Sequence, residues 1–341
     1  MCVPRLLLVL RMDRNYHVFS DGRIERNDDT IRVVTEDGEK KYVPVENAEA
    51  VFLHGQIDFN TRFVSFLDDH GTAAHVFGWN DYYAGSVMPT KGQTSGQTVV
   101  GQVRAYENPE ERLRLASAFV SGSIHNMRTN VTYYNGKDRD LESERAELAS
   151  IADDVSDAGD VSELMGVEAT ARKVYYRTFR KILPDEFTFG RREFNPPTNE
   201  VNSLISFGNS LVYANCVSAI RATALDPSIS YLHEPGERRY SLSLDIADLF
   251  KPLLADRVLF RVLNRRQLTA DDFEKELGAC LLSERGRKVY TKEFEETLER
   301  TIEHPELNRK VSYQHLLRLE AYKLKKDLLA GEQYEPFKRW W

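Results

Sequence analysis

Lys91-Gly92-Gln93-Thr94-Ser95-Gly96-Gln97-Thr98 divides the chain. Its glycine, serine and threonine content is that of a linker, and the character of the sequence changes across it. Upstream, short runs rich in β-branched and aromatic residues are punctuated by Asp-Gly pairs, as strands are. Downstream, apolar residues recur at helical spacing. The chain therefore reads as an α+β multi-domain protein. A β-rich N-terminal domain of hairpins and one short helix covers 1–90, a linker covers 91–104, and an all-α domain covers 105–341.

Toward the N-terminus, residues 16–19 and 23–26 flank Asp21-Gly22, which predicts a type I′ hairpin. Residues 31–35 and 41–45 flank Asp37-Gly38 in the same way. Residues 50–53 predict a further strand. Asn60 caps a short helix with Phe63, Phe66 and Leu67 on one face, and 73–77 and 82–87 predict two more strands. Residues 1–11 fit the first strand pattern poorly and read as an extension, with Met12 as good a start as Met1. Toward the C-terminus, helices are expected over 110–133, and from Asp160-Val161-Ser162-Glu163, which resembles a capping box, to Ile182. Asn195-Pro196-Pro197-Thr198-Asn199 opens another over 200–223. The remaining helices are expected over 244–264, 269–282, 291–302 and 312–329.

A chain of 341 residues holds about two domains. Its 41% hydrophobic and 29% charged content is that of an ordinary soluble globular protein. No apolar run approaches the roughly 20 residues of a membrane helix. Cys2, Cys216 and Cys280 form no zinc spacing and no disulfide framework, which fits a reducing, cytoplasmic setting. The net charge of −7 argues against a nucleic-acid partner only until its distribution is seen. Residues 137–163 contain ten acidic and three basic residues and so carry all of it, which leaves basic patches possible elsewhere.

Chemistry concentrates between Tyr231 and Arg257. His233 stands at a turn with Pro235 and Gly236, and Asp245 and Asp248 follow three residues apart on one helix face. A loop imidazole facing a carboxylate pair suits a hard divalent cation. Pro252, four residues after Asp248, removes the intrahelical partner of the Asp248 carbonyl and predicts a bend. Glu168, beside Gly166 and Ala169, is a candidate third carboxylate. Plainer readings stand beside these: a solvated glutamate, a hydrogen-bonded structural histidine, and a surface pair between Asp248 and Lys251. Between 172 and 192, Arg172, Lys173, Arg177, Arg180, Lys181, Arg191 and Arg192 interleave with Tyr175, Tyr176, Phe179, Phe187 and Phe189. That is either a nucleic-acid surface or a core helix with a basic outer face. Arg257, Arg261 and Arg265 form a basic stripe. No glycine-rich phosphate loop and no nucleophile elbow occurs, which argues against a nucleotide hydrolase or a dinucleotide enzyme.

In order, these pieces resemble the CRISPR-associated spacer-acquisition integrase family, the nuclease-like first protein of the adaptation machinery. The resemblance runs from Asn15-Tyr16 to the end. It is carried by Phe19-Ser20-Asp21-Gly22, by residues 164–176 around the family's glutamate, and by Asn195-Pro196-Pro197 with Asn202-Ser203-Leu204-Ile205-Ser206-Phe207-Gly208. Leu232-His233-Glu234 and Leu244-Asp245-Ile246-Ala247-Asp248-Leu249-Phe250-Lys251-Pro252 complete it. It implies that the helical domain is catalytic, a metal-dependent DNA endonuclease and integrase using Mg²⁺ or Mn²⁺. Glu168, His233 and Asp248 would be ligands, and Asp245 a supporting carboxylate. Arg172, Lys173, Arg177, Lys251, Arg257 and Arg261 are the candidates for holding DNA. The resemblance further implies double-stranded and branched DNA as substrates, a homodimer through the β-rich domain, the small second adaptation protein as partner, no membrane, and a type I system. There are departures. Many family members carry Glu at Asp248 and Arg at Lys251, and a tyrosine often follows the glycine where this chain has Asn209. Aspartate is shorter by one methylene, so a cation must sit closer to the helix or be reached through water. Two other readings remain: a nuclease for branched DNA that does no joining, and a non-catalytic DNA-binding scaffold.

Overall fold

The computed structural model describes residues 14–45, 48–90, 95–137, 139–193, 196–236, 240–276 and 278–340. The extension at 1–11, both candidate start methionines, Cys2 and Asn195 lie outside the described residues. The chain forms two compact units, 1–91 and 92–341.

The first unit runs β1 (Arg14–Val18), β2 (Gly22–Asn27), β3 (Thr30–Thr35), β4 (Lys40–Pro44), β5 (Ala48–Leu53), β6 (Ile57–Phe59), α1 (Thr61–His70), β7 (Ala73–Phe77) and β8 (Tyr83–Val87). Two four-stranded sheets result, ordered β4-β3-β2-β6 and β1-β5-β7-β8. Their inward residues (Val18, Ile24, Ile31, Val33, Val51, Leu53) share one core with Phe63, Phe66 and Leu67 of α1. The Asn60 side chain caps α1 by accepting the Phe63 amide at 3.2 Å. The Asp37-Gly38 hairpin forms, with β3 antiparallel to β4 and Gly38 at φ +85°.

The hairpin expected at Asp21-Gly22 does not form. β1 pairs in parallel with β5, while β2 pairs with β3, so the chain changes sheet at this point. Gly22 is required for another reason. It has φ +144°, and a Cβ there would collide with the Val34 carbonyl across the sheet. The Asp21 carboxylate accepts the Gln56 amide at 2.7 Å instead of closing a turn. The tight connection lies one strand later, between Asn27 and Thr30, where Asp28 has φ +53°.

The second unit begins earlier than the linker reading allowed. Ser95 caps α2 (Gly96–Glu107), so most of 91–104 is helix, and 91–94 lie outside the described residues. Then follow α3 (Pro109–Asn135), α4 (Glu142–Asp153), α5 (Val161–Arg177), the short α6 (Phe179–Ile182), α7 (Glu200–Arg221), α8 (Ser241–Lys251) and α9 (Arg257–Asn264). After them come β9 (Phe273–Glu276), β10 (Ala279–Leu282), α10 (Glu284–Leu298), β11 (Thr301–His304), β12 (Arg309–Ser312) and α11 (Tyr313–Ala330). The unit is mostly helical but not all-α. The helix expected over 269–282 is the hairpin β9–β10, and β11–β12 is a second hairpin. Gly278 and Asn308, at φ +80° and +48°, set those turns. α7 is long and apolar enough to cross a membrane by composition, but 89% of its apolar window is buried within the fold, as in a core helix.

Candidate active site

α5, α8 and the loop before α8 bring the candidate residues together. Asp160 caps α5 by accepting the Glu163 amide at 2.9 Å, while the Glu163 carboxylate reaches back to the Gly159 amide, one residue beyond a standard capping box. Leu164, Ala171, Val174 and Tyr175 anchor α5 in the core. Glu168 and Arg172, four residues apart, therefore share one face. Arg172 Nε donates to Glu168 Oε1 at 2.6 Å, and its guanidinium stands 3.2 Å from Asp248 Oδ1. Both carboxylates thus reach the same positive group. Lys251 Nζ adds a second cation to Asp248, at 2.6 Å.

The regular α-helix is interrupted where Pro252 stands. The chain passes through a π-turn over 252–256 before α9, and the carbonyls it releases are captured from α3. Ser123 donates to the Asp248 carbonyl at 3.1 Å, Asn126 to that of Leu249 at 2.9 Å, and Asn130 to that of Pro252 at 3.1 Å. These three α3 residues were not singled out from the sequence. Their signal was there: polar side chains three and four apart on an otherwise apolar helix face.

Asp245 is fully buried and organises the histidine loop. It accepts the amides of Tyr231, Leu232 and His233 and, at 2.8 Å, His233 Nδ1. That bond orients the ring and commits Nδ1 to Asp245. Burial pushes the imidazole pKa down, but the Asp245 hydrogen bond and the negative charges of Asp248 and Asp245 outweigh it and hold it above its ordinary value. For Asp248, burial favours the neutral acid, yet Lys251, Arg172 and His233 hold its carboxyl well below the usual carboxylate range. Burial acts against the Arg172 charge too, and Glu168 and Asp248 reverse that effect.

Among the described residues no three His, Cys, Asp or Glu side chains form a ready-made metal cage. Arg172 and Lys251 close on the carboxylates instead. The donor chemistry nonetheless suits a hard cation. Two carboxylates converge on a single positive group, and an oriented imidazole interacts electrostatically with one of them.

The DNA-binding candidates separate. Arg172 and Lys251 point inward and neutralise carboxylates. Lys173 is exposed, and Arg177 is exposed but paired with Glu147. The aromatic residues among them do not form a stacking platform: Tyr175, Phe179, Phe187 and Phe189 are buried core. The basic stripe is more telling. Arg257 and Arg261, with Lys137, Arg265 and Arg300, line a cavity of about 390 Å³ beside Tyr133. Lys137 and Arg257 both pack on the Tyr133 ring, at 4.8 and 4.9 Å. Burial together with the like charges of Arg261 and Arg257 depresses the Arg300 pKa. Not all of this charge is open: Arg261 is itself paired with Glu293 at 3.0 Å.

Comparison with known proteins decides the family. The family model described as CRISPR associated protein Cas1 matches residues 16–296. The chain belongs to the Cas1 family. Relatives named CRISPR-associated endonuclease Cas1 include that of Haloferax volcanii, 53% identical over 96% of this chain and 99% of its own, and that of Fusobacterium nucleatum, 40% identical over 97% and 98%. A Cas1 protein from Thermotoga maritima superposes with a TM-score of 0.85 at 35% identity, covering 96% of this chain and all of its own. A casposase bound to integration product shares the fold, with a TM-score of 0.84 at 18% identity over 96% and 93% of the two chains. The β-rich unit followed by a mostly helical one is therefore the Cas1 architecture.

Proposed function

We propose that this Cas1-family chain is a metal-dependent DNA endonuclease and integrase that inserts short DNA fragments into a CRISPR repeat array. The observation that carries the reading is the convergence of Glu168 and Asp248 on one cationic position, with His233 held by Asp245 and interacting electrostatically with Asp248. Glu168, His233 and Asp248 would hold Mg²⁺ or Mn²⁺ there, and the ion would supply Lewis acidity toward a phosphodiester oxygen. Arg172 and Lys251 hold Asp248 ionised and, once released from the carboxylates, are free to turn to phosphate. Asp245 keeps His233 Nδ1 engaged, so that only Nε2 faces the reacting group.

In joining, the 3′-hydroxyl oxygen of the fragment forms a bond to phosphorus as the bond to the 3′-oxygen of the array strand breaks. The proton passes to that leaving oxygen, and the number of phosphodiesters is conserved. In hydrolysis, water takes the place of the fragment. Both displacements are in line, so the protein contributes mainly position and charge. The cations around Arg257, Arg261 and Arg300 hold the backbone.

The relatives' names supply the endonuclease part. The fold shared with a casposase bound to integration product supports joining, and a Cas6-RT-Cas1–Cas2 complex of the same fold supports Cas2 as the small partner. We extend the reading to branched DNA as substrate, to a homodimer through the β-rich unit, and to a place in the cytoplasm beside the chromosome.

The test is incubation of the protein with supercoiled plasmid and a labelled 3′-hydroxyl fragment in Mn²⁺. Covalent fragment–plasmid product is expected, falling about 100-fold or more in Glu168→Ala and His233→Ala while DNA affinity stays within about threefold. Cleavage without joining by the unaltered protein favours the branched-DNA nuclease. Near-normal product from either variant removes the site.

A further inference from the structure

Residues 331–340 form no helix or strand, yet Tyr334 and Phe337 are 3% and 4% exposed. Irregular chain is buried only where its polar backbone groups find partners. Glu320 of α11 accepts the Phe337 amide at 2.9 Å, and Asp327 accepts that of Tyr334 at 2.6 Å. Asn126 of α3 accepts the Arg339 amide at 2.8 Å and donates to the Phe337 carbonyl at 3.0 Å. The same Asn126 amide nitrogen donates to the Leu249 carbonyl at 2.9 Å. One side chain therefore ties the tail to the backbone of the residue that follows Asp248.

Two packing observations point the same way. The Phe337 ring stacks on Phe250, with centroids 5.0 Å apart and planes 12° from parallel. At Gly122, a Cβ would lie 2.6 Å from Leu249 Cδ2 and 2.9 Å from Pro336 Cβ, so glycine is what lets α3, α8 and the tail meet. This junction sits where Pro252 and the π-turn interrupt the helix's own hydrogen-bond ladder. The direction of residues 248–250 is then set from outside the helix.

We propose that Asn126 and Phe337 are positioning residues for Asp248, with the tail acting as a clamp that fixes where its carboxylate points. The proposal rests on the catalytic reading of Asp248 given above. Both side chains are buried and uncharged, so they add no phosphate contact of their own. Loosening them is expected to lower turnover without weakening DNA binding.

The full chain carrying Asn126→Ala or Phe337→Leu tests this, with Lys338→Ala, an exposed tail cation, as control. The expected result is a kcat lower by about tenfold or more, with KM for DNA and DNA affinity within about twofold and weaker Mn²⁺ binding by calorimetry. Amide hydrogen exchange across 249–256 is expected to accelerate about tenfold or more in both variants and not in the control. Unchanged kcat and exchange in a folded variant overturns the proposal, as does a fall in kcat matched by an equal fall in DNA affinity. If Asn126→Ala does not fold, the milder Phe337→Leu decides by the same criteria. Unaltered protein that neither cleaves nor joins DNA defeats the reading of Asp248, and the exchange measurement then still reports on the clamp by itself.

Discussion

Burial favours the protonated form of both Asp248 and Asp256, yet the two end in opposite states. Lys251 and Arg172 keep Asp248 ionised, whereas burial pushes Asp256 up to about 7 despite the Tyr175 hydroxyl donating to it at 3.0 Å. A carboxyl whose folded-state pKa is raised stabilises the fold fully below its unfolded value of about 4. That contribution is lost as pH rises through about 7. Asp256→Asn is therefore expected to raise the Tm at pH 8, by an amount corresponding to a few kcal/mol, on the order of what such a shift represents. The gap should close near pH 4 in thermal melts across that range. Arg172 offers a second test at this scale. Arg172→Ala leaves two carboxylates facing each other, and an unpaired buried charge costs about 3–5 kcal/mol. The variant should melt lower than the parent in EDTA and gain more in Tm on adding Mn²⁺, because the ion replaces the lost charge. Equal gains would mean that the ion binds elsewhere. From the sequence, the spacing of Asp245 and Asp248 and the three remote candidates were legible. The Lys251–Asp248 pair was legible from its i, i+3 spacing, though as a surface pair rather than a buried one; the turn of Arg172 onto Asp248 was not, because helix periodicity gives a face but not which neighbouring carboxylate that face meets.

Elements were legible where local chemistry and packing agree. Asn60, Asp160 and Asn199 cap the helices expected of them, and Pro252 marks the interruption after α8. Strands β9 to β12 were missed because each is only four residues long, too short for an alternating pattern to show. Phe273-Glu274-Lys275-Glu276 has the composition of a helix, and the turn at Gly278, with positive φ, makes it the hairpin β9–β10 instead. Asp21-Gly22 misled for the opposite reason: close backbone approach and a hairpin turn call for the same glycine. The π-turn can be tested by removing its proline. Pro252→Ala restores an N–H that competes with Ser123 for the Asp248 carbonyl and removes a poor helix former. Stability should hold or rise while joining activity falls about tenfold, measured by melting and product assay on the same preparation. Activity that survives would show that the π-turn does not matter for aiming Asp248.

Across the whole molecule, a net charge of −7 coexists with a cationic cavity because the acidic excess lies in 137–163. Affinity for DNA should therefore fall steeply with salt. Arg265→Glu and Arg300→Glu, remote in sequence from the carboxylate site, should each lower the slope of log affinity against log salt by about one, without base preference. An unchanged slope would place the DNA on another face. All of this turns on three side chains from α5, a loop and α8 sharing one ion. The most direct measurement is the anomalous scattering of Mn²⁺ in crystals of the protein. One strong peak is expected, ligated by Glu168, Asp248 and His233 Nε2, with Arg172 withdrawn from between the carboxylates. A site that stays closed on Arg172, with manganese bound elsewhere or not at all, would contradict it.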